Sequence, residues 1–286
     1  MSCNCEEQNV KVLEPQEKTA IVPTSVNRTA YVSISVDDGH PLDMLTAELL
    51  TKYGVPATFY APARNPERRV LNPTQLREIA QSFEIGSHTL NHLPLTTVTA
   101  ERAWLEISEG KAWLQDLLGR TVSSFCYPRG KYTRNIISMV ERAGFLGART
   151  CALNRTDFPD SPFRFGVSTQ AHNHARSIQL RHALLEGNFR GIMDYVRVYH
   201  TETKWESHFE RALDVVEAEG GVAHLTMHSW EIDDNGDWDK FEDMLRMISQ
   251  RPQLKRVTNG ELYAEWAAQH PEYVAEHASA STHSTA

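Results

Sequence analysis

The order of apolar and polar positions along the chain predicts alternating strands and helices. Short apolar runs predict strands, and they occur at 30–36, 57–60, 83–87, 124–127, 146–150 and 221–227. Segments with helical spacing or helix-ending residues predict helices at 42–53, 74–82, 99–118, 133–143, 205–219, 238–250 and 260–269. The segment 151–203 carries neither signal clearly and is expected to be irregular.

Cap residues support these helix boundaries. Thr99 is suited to cap the amino end of the helix at 99–118, and Gly119 is suited to end it. Strands that alternate with helices form a parallel sheet with the helices outside it. About seven such units suggest a closed or nearly closed barrel, with an open doubly wound sheet as the alternative.

Composition indicates a folded body with a tail at each end. The chain has 286 residues, of which 41% are hydrophobic and 23% are charged. We expect one domain at 29–269, because 1–28 lacks periodicity and 270–286 ends in a Ser/Thr/Ala/His low-complexity stretch. In the first tail, Cys3 and Cys5 are expected to be reduced thiols, with a metal clip as the alternative.

Charge and hydropathy exclude some classes of binding partner and indicate a cellular compartment. The formal net charge of -8 argues against a nucleic-acid binder and against strong attraction to anionic membrane surfaces. No stretch approaches the roughly 18 apolar residues of a transmembrane helix. The segment 1–20 also lacks the apolar core of a signal peptide. The sequence therefore predicts a cytoplasmic protein.

Two segments that are far apart in the sequence carry residue types that commonly bind metals. Asp37 and Asp38, followed by Gly39, are adjacent carboxylates directly after the strand at 30–36. His88 and His92 stand at i and i+4, one helical turn apart, so both imidazoles can face a single ion. One aspartate and two histidines leave a coordination position open, which is typical of a catalytic zinc-type site. The other carboxylate is then free to take a proton from water.

The polar residues of interest follow predicted strands. In a parallel βα architecture, functional sites form at the carboxyl ends of the strands. Asp37 and Asp38 follow the first strand, and His88, the segment 127–130 and His228 each follow a further one. These residues are therefore expected at the same rim of the barrel.

Four short motifs occur in a fixed order along the chain. They are Ser35-Val36-Asp37-Asp38-Gly39, His88-Thr89-Leu90-Asn91-His92, Cys126-Tyr127-Pro128-Arg129-Gly130 and Leu225-Thr226-Met227-His228. In order and spacing they resemble the polysaccharide deacetylase superfamily, also known as the NodB-homology or carbohydrate esterase family 4 group. The first two motifs are specific as a pair, and the last two are weak alone. The resemblance runs from Ala30 to Ala268 and implies a distorted or incomplete (β/α) barrel.

The resemblance also implies a metal site. Asp38, His88 and His92 would bind one divalent ion, with zinc as the first expectation and cobalt, nickel or manganese as alternatives. His172 and His174 form a second pair that could coordinate metal. Because they fall in the segment expected to be irregular, we interpret them instead as a solvated or substrate-lining loop.

Catalytic roles follow from the same resemblance. Asp37 would act as general base towards the attacking water, and His228 as general acid for the departing amine. The peptide N–H of Arg129 would help to hold the oxyanion. Glu231 or Asp233 could orient His228.

The sequence departs from the family at one position with a consequence for catalysis. Where the family carries an arginine that steadies the general base, this chain has Cys126. Arg129, Arg149 or Arg164 could take over that role, and the sequence does not choose among them. A metal-retaining but inactive carbohydrate-binding domain is therefore an alternative reading.

Three further residues near the motifs are candidates for substrate contact. His40 follows the aspartate motif, Tyr127 begins the loop after its strand, and Trp230 could stack on a sugar ring. Arg68 and Arg69 are expected to be ordinary surface charge.

Together these features predict a metal-dependent hydrolase that removes an N-acetyl or N-formyl group from an amino sugar. The resemblance and the missing leader suggest a nucleotide- or lipid-linked substrate in surface polysaccharide biosynthesis. Hydrolysis of a non-sugar amide or a cyclic ureide is the alternative within enzymes.

Overall fold

The computed structural model describes residues 29–185 and 187–273. The predicted tail at 1–28, with Cys3 and Cys5, and positions 274–286 of the predicted C-terminal tail lie outside these residues. Among the helices that are described, none combines the length and the apolar character needed to cross a bilayer.

The strands of the described residues form one parallel sheet. They are β1 (Ala30–Val36), β2 (Thr58–Ala61), β3 (Glu84–Ser87), β4 (Ser124–Cys126), β5 (Gly147–Arg149), β6 (Thr169–Gln170), β7 (Gly221–Met227) and β8 (Lys255–Arg256). The order in the sheet is β5-β4-β3-β2-β1-β7-β6, and β8 pairs with the amino-terminal half of β1. β1 pairs with β7 along its whole length.

Helices connect these strands. They are α1 (Asp43–Tyr53), α2 (Pro73–Ile79), α3 (Ala100–Leu118), α4 (Arg134–Arg142), α5 (Arg176–Leu185), α6 (Phe189–Arg197), α7 (Trp205–Glu219), α8 (Ser229–Asn235), α9 (Trp238–Ser249) and α10 (Asn259–Gln269). The predicted caps of α3 are present. The Thr99 side chain accepts a hydrogen bond from the N–H of Arg102, and Gly119 ends the helix in the left-handed conformation.

The sheet curls into a barrel that its strands do not close. Its two edges are β5 and β6, and an irregular segment connects them. In that segment, the N–H of Phe165 donates to Ala148 and the N–H of Val167 donates to Ala152, before the chain enters β6 beside β7. The predicted distorted or incomplete (β/α) barrel is therefore confirmed, with irregular backbone in place of a closing strand.

The core fixes the strands that carry the candidate site. Every residue of β1 is buried, and so are Leu225 and Met227 of β7. Helix α7 packs Phe209, Leu213 and Val216 into the same core. Burying a side chain of this size contributes about 1.5–3 kcal/mol. The carboxyl ends of β1 and β7 are thus rigid points from which the next residues project.

Three segments differ from the prediction. The segment 88–92, called the histidine loop below, is not helical, and Thr89 and His92 have positive φ angles of 68° and 52°. The prediction of one helical turn between the two histidines is therefore wrong. The segment 229–235 forms α8, which was not predicted. The segment 151–203 contains β6, α5 and α6, so the prediction of irregular structure there is wrong in part.

Helix α6 was not predicted, although its apolar residues cluster on one side of the helix. Gly191 and Tyr195 are buried, whereas Phe189, Met193 and Val196 are exposed. The apolar residues therefore recur at helical spacing, and this period was an available signal for α6.

Candidate active site

Polar side chains that follow β1, β3, β4 and β7 meet in one cleft of about 530 Å³. Eight of the residues predicted from the sequence line it. They are Asp37, Asp38, His88, His92, Tyr127, Arg129, His228 and Trp230. The rim expected from the strand ends is therefore where these residues converge.

Asp38, His88 and His92 form a group of three potential metal ligands. All three are buried, and their ligand atoms lie within 4.8 Å of one another. Oδ1 of Asp38 lies 3.7 Å from Nε2 of His88 and 3.0 Å from Nε2 of His92. This oxygen has no hydrogen-bond partner among the described residues. An unpartnered buried carboxylate oxygen beside two imidazole nitrogens fits a bound cation, which would satisfy all three atoms.

A backbone contact orients His88 for metal binding. Its Nδ1 lies 2.9 Å from the carbonyl oxygen of Cys126. Because a carbonyl only accepts, Nδ1 carries the proton and Nε2 keeps its lone pair towards Asp38. Burial and the neighbouring His92 lower the pKa of His88 to about 4. The imidazole is therefore neutral near pH 7, which is the form that binds metals.

Helix α3 gives the histidine loop its shape. The buried carboxylate of Glu106 accepts hydrogen bonds from the backbone N–H and the side-chain amide of Asn91, and its carbonyl accepts from the N–H of Leu90. Gly110 permits the close approach, because a Cβ there would lie 2.7 Å from the carbonyl carbon of Thr89. Sequence analysis missed Glu106. Its place on the buried face of a predicted helix was the available signal, since a buried carboxylate needs a partner.

Asp37 has a different partner from its neighbour. Its Oδ2 accepts a hydrogen bond from the guanidinium of Arg149, which is fully buried at the end of β5. Burial alone would raise the pKa of Asp37. The positive charge of Arg149 and the neighbouring His88 and His228 lower it by more, so the pKa is below its usual value. Oδ1 of Asp37 is buried and finds no hydrogen-bond partner in the described part of the chain. Asp37 is thus a charged carboxylate with one oxygen left to accept a proton.

The structure resolves which arginine contacts Asp37. Of the three that the sequence left open, Arg149 makes the contact, whereas the side chain of Arg129 pairs with Glu67. Sγ of Cys126 lies 4.0 Å from Oδ2 of Asp37, so the cysteine borders the ion pair without holding it. The position of Arg149 at a strand end was a signal, but Arg129 also follows a strand and could not be excluded.

A second group of potential ligands overlaps the first and is a poorer metal site. Asp37, His88 and Cys126 also place their ligand atoms within 4.8 Å of one another. Burial raises the pKa of the Cys126 thiol well above its usual value, so it stays protonated. Thiolates, not thiols, bind metals.

His228 is oriented by Glu231, one of the two acids proposed for this role. Its Nδ1 lies 2.7 Å from Oε2 of Glu231, and its Nε2 lies 4.0 Å from Oδ2 of Asp38. The amide of Gln170 donates to the same Glu231 oxygen. Burial lowers the pKa of His228, but the hydrogen bond to Glu231 and the charge of Asp38 raise it more, to about 9. The ring is therefore a cationic imidazolium near pH 7, with protons on both nitrogens and with Nε2 on the cleft side.

Trp230 contacts Asp38, one of the potential metal ligands, and its own ring is covered by an arginine. Its Nε1–H donates to Oδ2 of Asp38 at 3.1 Å. The guanidinium of Arg68, which is exposed as expected of a surface charge, lies 3.4 Å from the ring centroid in a cation–π contact. The preceding residue, Glu67, pairs with Arg129. Consecutive residues of the segment between β2 and α2 thus contact two sides of the cleft.

Two of the predicted substrate contacts have other partners. The hydroxyl of Tyr127 donates to the carbonyl of Phe163 at 3.2 Å, inside the core. Nδ1 of His40 accepts a hydrogen bond from the N–H of Leu42, and His40 is not among the residues that line the cleft.

His172 and His174 lie beside the partner of His228. Their rings are 5.0 Å apart, and Nδ1 of His172 is 4.0 Å from Oε1 of Glu231. Nε2 of His174 is within hydrogen-bond distance of Gln170. Neither belongs to a group of three potential ligands among the described residues. Their role as a substrate-lining loop stays a prediction.

This fold and site define a class of protein: incomplete (β/α) barrels with an aspartate and two histidines grouped at the carboxyl ends of the strands. Comparison with known proteins agrees with that class. Residues 25–148 match the polysaccharide deacetylase family. The match covers less than half of the chain, and over this part the chain is similar to the polysaccharide deacetylase family, as the sequence motifs indicated.

Individual relatives resemble parts or most of the chain. YxkH of Bacillus subtilis (strain 168), named for the same family, is 28% identical over 123 residues, which are 42% of this chain and 44% of that protein. This chain therefore matches less than half the length of that relative. A Mycobacterium smegmatis structure named for the family covers 85% of this chain and 91% of its own, with a TM-score of 0.61 and 15% identity. A Clostridium thermocellum family 4 acetyl xylan esterase in complex with a cobalt ion covers 82% and 90%, with a TM-score of 0.52 and 17% identity. The two structural likenesses show the fold.

Proposed function

We propose that the protein is a metal-dependent hydrolase that removes an N-acyl group from an amino sugar. The observation that carries this proposal is the buried group of Asp38, His88 and His92, in a cleft that Asp37 and His228 also line. A divalent cation held by these three ligands would supply Lewis acidity, which polarises a carbonyl and lowers the pKa of water. Zinc is the ion we propose first. The esterase structure of the same fold contains a cobalt ion, and this also favours a metal-dependent enzyme.

Two side chains would move the protons of the reaction. Asp37 has a free Oδ1 and is suited to accept a proton from the attacking water. His228, whose Nδ1 is held by Glu231, would donate from Nε2 to the departing nitrogen, because an amine leaves readily only when protonated. A C–O bond forms and the C–N bond breaks, which yields a carboxylic acid and a free amine. We also propose that the peptide N–H of Arg129, in the loop after β4, helps to hold the oxyanion.

Arg149 favours an active enzyme over an inactive binding domain. The inactive alternative rested on Cys126, which cannot steady the general base. The contact from Arg149 to Asp37 supplies that support from a neighbouring strand, so the departure from the family motif does not leave the carboxylate without a partner.

Metal analysis and a substrate screen test this function together. We expect about one divalent ion per chain, loss of turnover on chelation, and recovery when zinc or cobalt is added back. The substrates are N-acetyl and N-formyl amino sugars, free and nucleotide- or lipid-linked, and also non-sugar amides and a cyclic ureide, with release of acetate, formate or amine as the measurement. Sugar binding without turnover in the metal-loaded protein would refute the hydrolase proposal. Turnover of the non-sugar substrates alone would refute the amino-sugar assignment.

Replacing Trp230 by phenylalanine is expected to weaken metal binding. The Trp230→Phe variant keeps an aromatic ring under Arg68 but loses the hydrogen bond to Asp38. Loss of such a bond to a metal ligand typically lowers metal affinity by about 10–100-fold. Competition with a chelator of known affinity measures the change.

Trp238→Phe is the matched control for this experiment. Nε1 of Trp238 donates to Asp233 on an exposed surface, so the same atoms are removed away from the ligand group. We expect its metal affinity to match that of the wild type. Equal affinities in both variants would contradict a role for Trp230 in holding Asp38.

A further inference from the structure

The helical hairpin at 176–197, which comprises α5 and α6, exposes an unusual amount of apolar surface. Among the described residues, eight large hydrophobic side chains are exposed, and five of these belong to the hairpin. The five are Ile178, Leu184, Phe189, Met193 and Val196. Single exposed apolar residues are ordinary, but a group of them marks an interaction site.

The apolar residues of α6 form one stripe that faces away from the body of the protein. Phe189, Met193 and Val196 stand at i, i+4 and i+7, which places them on one side of the helix. Gly191 and Tyr195 are buried on the opposite side. Phe189 is 68% exposed. The hairpin is therefore anchored through one face and presents a second apolar face outwards.

The hairpin is attached close to the candidate active site. The side chain of Asn188 caps α6 and donates to the carbonyl of Leu153 at 2.7 Å, and Leu153 lines the cleft. The chain enters the hairpin directly after β6, where Gln170 donates to Glu231. The hairpin is therefore anchored to a residue that lines the cleft.

The charge of the hairpin is opposite to that of the whole protein. Between 176 and 197 the sequence has four arginines and two acidic residues, in a chain of formal net charge -8. The arginines are Arg176, Arg181, Arg190 and Arg197. At 100° per residue, Arg190 and Arg197 border one side of the apolar stripe of α6, and Arg190 also pairs with Asp157 and Asp194. An apolar stripe edged by arginines is typical of helices that lie at the interface of an anionic membrane.

We propose that the hairpin docks on the surface of an anionic lipid bilayer, because its local positive charge differs from the net charge that argued against such a surface. The apolar stripe would enter the boundary between headgroups and acyl chains, while Arg181 and Arg197 reach the phosphates. A second copy of the chain fits this surface less well, because a symmetric contact would bring the arginines of both copies together. Charge complementarity thus selects the lipid surface. This docking goes beyond the hydrolase reaction and does not depend on it.

Vesicle flotation with the full chain tests the docking. We expect the protein to float with phosphatidylcholine vesicles that contain about a quarter phosphatidylglycerol, and to stay behind with vesicles of phosphatidylcholine alone. Raising the salt concentration should weaken binding, because anionic headgroups are screened. Equal binding to both kinds of vesicle, or binding to neither, would overturn the proposal.

Two variants and a control assign the binding to the hairpin. A triple variant with Phe189→Ser, Met193→Ser and Val196→Ser should lower the fraction that floats by at least about tenfold, because all three side chains are exposed and their loss leaves the core intact. Arg181→Gln combined with Arg197→Gln should also weaken binding. Leu146→Ser, which removes an exposed leucine just before β5 at the other end of the barrel, should bind as the wild type does.

Sedimentation velocity tests the alternative that the stripe is an interface between two copies of the chain. If the wild type forms dimers that the triple variant does not form, and if it ignores anionic vesicles, the stripe is an interface between copies and the proposal is wrong. Circular dichroism of each variant confirms that loss of binding is not loss of folding.

Discussion

The Asp38→Asn variant is expected to lose both the metal and turnover, whereas the adjacent Asp37→Asn variant is expected to lose turnover alone. Both changes keep the size of the side chain and remove one negative charge. Oδ1 of Asp38 faces the two imidazoles, so its replacement removes a ligand. Asp37 contacts Arg149 instead, and its role as general base is typically worth about 10²–10⁴-fold in rate.

Metal content and kcat, measured on the same preparations, separate these two roles. The metal-to-protein ratio should fall to near zero in Asp38→Asn and stay at the wild-type value in Asp37→Asn. Asp234→Asn, on the outer part of α8, is a control for the loss of one carboxylate charge and should change neither quantity. Full turnover in Asp37→Asn, or retained metal with full turnover in Asp38→Asn, would contradict the proposed division of roles.

Replacing Arg149 by methionine is expected to damage both stability and rate while the metal stays bound. Arg149 is fully buried, and Asp37 is its charged partner. Breaking a buried ion pair from one side typically lowers the free energy of unfolding by about 3–5 kcal/mol, because the other charge stays buried without compensation. Asp37 would also lose its fixed position, and a displacement of about 1 Å can reduce kcat about a hundredfold.

An arginine moved to a neighbouring strand shows whether Arg149 positions the Asp37 carboxylate or only stabilises the fold. Cys126 borders the same oxygen of Asp37, so Cys126→Arg added to Arg149→Met restores a guanidinium from the strand position where the family carries it. We expect kcat to recover in part, with KM little changed throughout. Arg149→Lys should recover less, because an ammonium cannot reproduce the planar contact of a guanidinium. A folded, metal-loaded Arg149→Met variant with wild-type kcat would show that Asp37 needs no such partner.

The sequence predicted those parts of the fold that depend on local pattern. Strands β1 and β7 were predicted to the residue because each is a long apolar run, buried along nearly all its length. The ends of α3 were predicted because Thr99 and Gly119 have conformational roles that few other residues fill. In contrast, α6 was missed although its apolar residues recur at helical spacing.

The site was predictable where ligands follow strands and unpredictable where distant residues act on them. Asp38, His88 and His92 converge as expected, but through a loop and not through a helical turn. The shape of the histidine loop depends on Glu106, and nothing in the sequence of the histidine motif predicts that residue. Likewise, Arg149 was one of three arginines that the sequence allowed, because only the register of neighbouring strands brings it to Asp37.

The dependence of the histidine loop on α3 limits how this chemistry can be transplanted. A designer who copied only the motif 88–92 into another barrel would transfer the ligands without the carboxylate that bends their backbone. Glu106 and Gly110 belong to the same functional module as the histidines, although they are fourteen or more positions further along the chain. The smallest portable unit is therefore β3, the loop and α3 together.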